Sequence, residues 1–279
     1  MSLLQKIRLL IRHYRFFPKK RFGQSFLIDS DLMQKLPSYA SVSDSDIVLE
    51  IGAGLGFLTR LLAQKCRKVI AVEIDNKLVK ILKEQLHDLR NIELIEGDVL
   101  KVSIPHFNKV VSTPPYSISS PLLFWLLEKN FDCAVLAFQK EYAERLNASV
   151  GSKDYSRLTV STYYRTDVEL LDYVPKELFY PPPDVDSIVV RLKPRKPPFS
   201  IVDDTLFLEL VQALFTQRNR KVRNSVIPFL QRQGFEREEA LKIADSLLFH
   251  DKRVRELAPE DFGAIANEIT RKRYEKNTL

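Results

Sequence analysis

The chain has 279 residues, 45% of them hydrophobic and 28% charged, with a formal net charge of +7. That composition supports a full buried core and excludes an intrinsically disordered chain; the length suits one large domain or two smaller ones. Two cysteines, Cys66 and Cys133, lie in apolar runs with no CxxC partner. Four scattered histidines (His13, His87, His106, His250) have no metal-ligand spacing, so a disulfide framework, a zinc site and a histidine triad are not expected.

The first 21 residues contain Lys6, Arg8, Arg12, Arg15, Lys19, Lys20 and Arg21 and no acid, while Leu3, Leu4, Ile7, Leu10, Ile11 and Tyr14 recur at helical spacing. Such a basic amphipathic start fits a transit peptide or a helix lying on RNA. It runs directly into Arg21–Leu27, which reads as folded protein, and this favours the RNA or structural role. Strands and helices alternate from about residue 45. The strands read as 47–51, 68–74, 92–95, 109–111 and 133–138, with helices over 57–65, through Leu78–Leu86 and from about Glu141. Further strands are expected over 159–164, extended through 168–171, and over 187–192. Continuous apolar strands alternating with helices indicate a mostly parallel sheet covered on both faces. Lys193–Pro198 reads as a linker. Beyond it Leu206, Leu210, Ala213 and Leu214, then Val226, Phe229 and Leu230, then Ala240, Ile243, Ala244 and Leu247 have helical spacing. The expected organisation is a Rossmann-like α/β sheet over residues 1–195 and a small helical domain over 196–279. No run approaches the roughly 18 apolar residues that a membrane helix needs.

The first strand ends in Gly52-x-Gly54-x-Gly56 and opens a helix. Glycines there let the backbone approach a ligand closely. The spacing is GxGxG and not the GxGxxG that seats a pyrophosphate, which suits an uncharged adenosine with a sulfonium tail. Glu73 ends the second strand, where a carboxylate can accept hydrogen bonds from both ribose hydroxyls. Asp98 follows the third strand, within reach of an adenine amino group. Together they point to S-adenosylmethionine. The fourth strand ends in Ser112-Thr-Pro-Pro-Tyr116. Adenine N6 is a poor nucleophile because its lone pair is delocalised. A proline-stiffened turn aims a carbonyl and the preceding side chain at that amine, and an aromatic ring holds the base. This is positioning and electrostatics without a covalent intermediate.

These residues, with the blocks Lys20–Leu27, Ile118–Pro121, Gln139–Arg145, Tyr155–Leu158, Phe179–Ser187 and Phe215–Arg223, resemble the small-subunit ribosomal RNA adenine N6,N6-dimethyltransferase family over nearly the whole length. The resemblance implies a class I methyltransferase that uses S-adenosyl-L-methionine. It implies that Ser25 and Leu27 line the methionine side of the cofactor pocket, with Gly52 and Gly54 beneath. Glu73 would bind the ribose and Asp98 the adenine of the cofactor. Thr113, Pro115 and Tyr116 would hold the target adenine, with Phe179 stacked on its other face, as suits an extruded base. The sequence departs from the family pattern at Thr113, where Asn is usual, and at Ser25, where the family's bacterial members have Asn. A hydroxyl keeps only part of an amide's hydrogen bonding.

Arg218, Arg220, Lys221 and Arg223 cluster without an intervening acid and, with the basic N-terminus, are expected to track phosphates. The activity expected is methylation of N6 on two adjacent adenines of small-subunit ribosomal RNA, or of a pre-30S-type particle, by a cytoplasmic monomer without metal or membrane. The alternatives are a large-subunit RNA methyltransferase of the resistance type and a catalytically weak or inactive RNA-binding assembly factor. A small-molecule methyltransferase fits poorly with the basic helical tail.

Overall fold

Most of the apolar runs become buried strands and the amphipathic ones helices. The computed structural model describes residues 1–278; the side chain of Lys20, one of the expected basic positions, lies outside the described residues. In chain order the elements are α1 (Leu3–His13), β1 (Phe26–Leu27), α2 (Ser30–Tyr39), β2 (Ile47–Ile51), α3 (Phe57–Ala63), β3 (Lys68–Glu73), α4 (Asn76–Gln85), β4 (Ile92–Glu96) and β5 (Lys109–Ser112). They continue with α5 (Ser119–Leu127), β6 (Cys133–Gln139), α6 (Lys140–Leu146), α7 (Arg157–Arg165), β7 (Thr166–Val174), β8 (Phe179–Tyr180) and β9 (Ser187–Pro194). The last four are α8 (Asp204–Phe215), α9 (Val222–Arg232), α10 (Arg237–Ser246) and α11 (Pro259–Thr278). The chain divides into two compact units, Met1–Ala143 with Val168–Pro194, and Glu144–Asp167 with Arg195–Leu279.

In the first unit the main sheet has the order β4-β3-β2-β5-β6-β9-β7. The β4–β3, β3–β2, β2–β5 and β5–β6 pairs are parallel and β6–β9 is antiparallel. This is the expected Rossmann-like sheet. From β2 the chain builds outward through β3 and β4, then returns to place β5 on the other side. The order therefore reverses between β2 and β5, and a crevice opens beyond their carboxyl ends. Val48, Val69, Ile70, Val110 and Val135 are fully buried. Each stabilises the fold by roughly 1.5–3 kcal/mol, and without polar edges to satisfy they hold the crevice on a stiff base.

Two short strands absent from the sequence reading close over that crevice. β1 and β8 pair antiparallel, Phe26 opposite Tyr180 and Leu27 opposite Phe179. The N-terminal helix belongs to the same unit. Ile7 of α1 and Phe16 beyond it are 0% and 1% exposed and pack with Leu55, Leu78 and Ile81.

In the second unit α7 through α11 share one core, in which Tyr155, Val160 and Tyr164 pack with Leu210, Phe229 and Phe262 among others. Residues 159–164 were expected to be a strand; they lie in α7. Thr159, Val160, Thr162 and two tyrosines have the composition of a strand, but propensity yields to tertiary burial. Thr159 Oγ1 accepts from the Ser156 N–H at 3.1 Å, satisfying a donor at the helix start. The Tyr155 hydroxyl donates to the Leu257 carbonyl at 2.8 Å, and the Tyr164 hydroxyl to Asp204 at 2.8 Å. The second unit thus includes a segment, Glu144–Asp167, that the sequence alone groups with the first. Among the described residues no helix is long and apolar enough to cross a membrane, and no cluster of His, Cys, Asp or Glu could hold a metal ion. Both cysteines are free and buried.

Candidate active site

A cavity of about 580 Å³ opens beyond the carboxyl ends of β2, β3, β4 and β5. Gly52, Gly54, Glu73, Asp98, Thr113, Pro115, Tyr116 and Phe179 all line it, as do Ser25 and Leu27. The structure therefore brings together every residue expected for the cofactor and the target base.

The floor is the β2–α3 loop. Gly52 and Gly54 have φ of 76° and 59°, a region that side chains rarely occupy. A Cβ on Gly54 would stand 3.0 Å from the Phe26 ring, and one on Gly52 would stand 3.3 Å from Pro115 Cδ. The glycines thus let β1 and the proline turn close in from above. The loop is tied to β3 by the Gly52 and Ala53 N–H groups, which donate to the Val72 carbonyl at 2.8 and 3.2 Å.

Glu73 is 5% exposed. Its Oε2 accepts from the Gly54 N–H at 2.9 Å and its Oε1 from the Asp75 N–H at 2.9 Å. Burial pushes its pKa above the ordinary carboxylate value, against the pull of those donors. Each oxygen keeps a further lone pair for a ligand hydroxyl. Asp98 Oδ1 accepts from the Leu100 N–H at 3.1 Å, and Lys101 lies 3.6 Å from its other oxygen.

Thr113 to Tyr116 follow β5, whose end is fixed when the buried Ser112 hydroxyl donates to the Ile51 carbonyl at 2.5 Å. The Tyr116 hydroxyl is hydrogen-bonded to Ser187 Oγ on β9. Burial raises the Tyr116 pKa, so the phenol stays protonated and cannot serve as a base at neutral pH. Its ring, and not its hydroxyl, is what remains to meet a base. Phe179, 4% exposed, reaches the cavity from β8.

The near wall is a strap, residues 19–27, continuing into β1. Ser25 Oγ donates to the Pro181 carbonyl at 2.6 Å, which leaves its lone pairs as acceptors. Asp75, 1% exposed, holds the strap's root: it accepts from Lys19 Nζ at 2.8 and 3.0 Å and from Gln24 Nε2 at 2.9 Å. Because the Asp75 N–H also donates to Glu73, strap and Glu73 are linked through one residue. Burial raises the Asp75 pKa, but the Lys19 and Gln24 donors outweigh it, and the net shift is downward.

Two features escaped the sequence reading. The Gln24–Asp75 contact joins residues 51 apart, and no local pattern announces it. Glu50 is 2% exposed and lines the cavity, and its Oε2 has no hydrogen-bond partner among the described residues. Burial pushes its pKa up to about 8, opposed by Thr59 and reinforced by Glu73. The available signal was an acid inside an otherwise apolar strand, one residue removed from Gly-x-Gly.

The cluster expected to bind RNA lies in the second unit. Arg218 donates to the Ser152 and Lys153 carbonyls, each at 2.7 Å. Lys221 pairs with Asp251 at 2.8 Å, and Arg223 pairs with Asp245 through Nε and Nη2. Arg220 is exposed with no side-chain partner among the described residues.

Residues 16–271 match the family model described as ribosomal RNA adenine dimethylase. The chain belongs to that family. It is 46% identical over 251 residues to a probable ribosomal RNA small subunit methyltransferase A of Methanosarcina acetivorans, covering 89% of this chain and 92% of the relative. A relative of the same description from Pyrococcus abyssi is 39% identical, covering 92% and 93%. Among solved structures, a dimethyladenosine transferase from Plasmodium falciparum superposes with a TM-score of 0.77 at 30% identity, over 90% of this chain and 98% of that one. The 23S rRNA methyltransferase ErmE gives 0.64 at 29% identity, over 88% and 99%. The chain is thus an S-adenosylmethionine-dependent methyltransferase of the adenine dimethylase family. The cavity suits that cofactor: backbone without side chains at Gly52 and Gly54 on its floor, an acceptor pair at Glu73, and a buried Glu50 oxygen, unpartnered among the described residues, that a cationic group would satisfy.

Proposed function

We propose that the chain methylates N6 of two adjacent adenines in small-subunit ribosomal RNA during ribosome assembly in the cytoplasm. The observation that carries the reading is the meeting, in one cavity, of Gly52, Gly54, Glu73 and Asp98 with Thr113, Pro115, Tyr116 and Phe179. The names of the most similar relatives support the small subunit over the large.

The cofactor, when bound, supplies an electrophilic methyl group. Glu73 takes the ribose hydroxyls, Asp98 the adenine amine, and Ser25 and Leu27 border the methionine end. Glu50 Oε2, unpartnered among the described residues, would accept from the ammonium, and that cation beside it would favour the ionised acid. Thr113 Oγ1 and the stiffened carbonyls of the Pro114–Pro115 turn accept from the target N6–H2. This draws electron density onto the nitrogen and fixes its direction of approach. The Tyr116 and Phe179 rings hold the extruded base. The target nitrogen, made more acidic by methylation, would lose its proton to water, so no side chain is required as the base. Thr113 supplies a single hydroxyl acceptor where an amide is usual.

The test is to incubate the protein with labelled S-adenosylmethionine and undermodified small ribosomal subunits, then map the modified bases by mass spectrometry. Two neighbouring dimethyladenines are expected. Cofactor binding with no label on RNA would sink the reading.

A further inference from the structure

All of the chain's positive excess sits at its start. Residues 1–28 hold seven Lys and Arg and no Asp or Glu; without them 36 basic residues face 36 acidic ones. Lys6, Arg8, Arg12, Arg15 and Arg21 are exposed. Among the described residues, Lys19 is the one basic side chain of this segment held in an ion pair. The second-unit cluster is different. There Lys221 and Arg223 are neutralised by Asp251 and Asp245, Arg218 is committed to two carbonyls, and Arg220 is the one member left exposed without a side-chain partner among the described residues.

Two of the free charges, Arg21 and Arg8, stand beside aromatic rings at the edge of the cavity. The Arg21 guanidinium lies 4.7 Å from the Phe22 ring centroid, and both residues line the cavity. Arg8 lies 5.3 Å from the ring of Tyr180, which sits between Phe179 and Pro181 of the cavity wall. Cations interleaved with aromatic faces are the arrangement that holds single-stranded nucleic acid: charge follows the backbone and rings stack on bases. A membrane surface is the competing polyanion for a basic amphipathic helix, but such a helix must insert its apolar face. Here that face is used inside the protein, where Ile7 is fully buried against Leu55, Leu78 and Ile81 and Leu3, Leu10, Ile11 and Tyr14 flank it.

We infer that α1 and the strap form the principal phosphate-tracking surface for the RNA substrate, with unpaired nucleotides beside the target base resting on Phe22 and Tyr180. This rests on the reading of the chain as a ribosomal RNA methyltransferase. The surface places the RNA backbone on the same compact unit that holds the cavity, so one unit registers the target base against the methyl donor.

The experiment measures binding of an unmodified small-subunit ribosomal RNA transcript against salt for three proteins: the wild type, Arg8→Gln/Arg12→Gln/Arg15→Gln, and Lys221→Gln/Arg223→Gln. Each phosphate contact on a single strand contributes about 0.7 to the log–log slope. The triple variant should therefore lose about 2 from the slope, and the double variant less than about 0.5. Affinity for S-adenosylhomocysteine and the melting temperature should be unchanged in the triple variant. A slope loss below about 1, or a larger loss in the double variant, overturns the inference. Were the triple variant to misfold, Arg12→Gln alone decides the matter: it supports the inference with a loss of about 0.7 and overturns it with a loss below about 0.3. Methylation by the wild type is scored separately. A wild type that binds the transcript but leaves its adenines unmodified would refute the proposed reaction, while the slopes still decide the interface.

Discussion

Replacing Glu73 by Gln separates the two tasks of that carboxylate. In the folded chain its oxygens accept from the Gly54 and Asp75 N–H groups, both at 2.9 Å. Gln keeps the shape but turns one acceptor into an NH2 donor that faces one of those N–H groups. A ribose hydroxyl loses the same acceptor, and the remaining carbonyl bonds as a neutral group. A hydrogen bond to a charged partner contributes about 1.5–3 kcal/mol against about 1 for a neutral one. One bond lost and one weakened give a loss of about 2–3 kcal/mol in cofactor binding, or roughly 30- to 150-fold in Kd. The assay is calorimetric titration with S-adenosylhomocysteine. Stability should fall less than affinity, because removing a buried charge relieves desolvation and offsets the orphaned N–H. The Glu73 pKa is raised, so wild-type affinity should weaken as pH falls through that raised value and the ionised acceptor disappears. The Gln variant should lack this dependence. A Kd within about threefold of wild type would show that Glu73 only braces the glycine loop.

Three other outcomes follow from the geometry. Glu50 has a folded pKa of about 8 against an ordinary 4.5, so the native state binds more protons between those values; stability of the cofactor-free protein therefore falls as pH rises from about 5 to 8. Glu50→Gln should flatten the melting temperature over that window, and parallel curves would count against the assignment. Tyr116→Ala should lower kcat by about 100-fold with S-adenosylhomocysteine affinity intact, whereas Tyr116→Phe, which loses only the tie to Ser187, should cost less than about fivefold; equal losses would mean that the hydroxyl takes part. Asp75→Ala frees Lys19 and Gln24, and a loss of about 1.5 kcal/mol in strap closure should raise the KM for S-adenosylmethionine about tenfold with kcat little changed. Asp75→Asn, which keeps one acceptor, should recover part of that loss; a fall in kcat alone would place Asp75 outside cofactor binding.

The cofactor half of the site was legible because its signals are local. A glycine at φ 59° in the β2–α3 loop, an acid at the last position of β3 and one just after β4 are each set by a few neighbouring residues and a strand period. Thr113–Tyr116 was legible for the same reason, since two prolines stiffen a turn whatever surrounds it. Glu50 was not, because its burial and its raised pKa arise from packing around β2 and not from the strand itself.

Alternation, glycine spacing and the acid-free N-terminus are properties of short stretches, and from them came the sheet, the cofactor and the basic segment. The tertiary structure decided whatever depends on distant partners. It made residues 157–165 a helix by burying Val160 and Tyr164 among residues more than forty positions later. It closed the cavity by pairing Phe26 with Tyr180 and anchoring Gln24 on Asp75. It also paired two cations of the second unit with distant acids: Asp245 and Asp251 lie 22 and 30 residues from Arg223 and Lys221. Among the described residues Arg8, Arg12, Arg15 and Arg21 near the start of the chain have no ion-pair partner, while Lys19 is held by Asp75, 56 residues away.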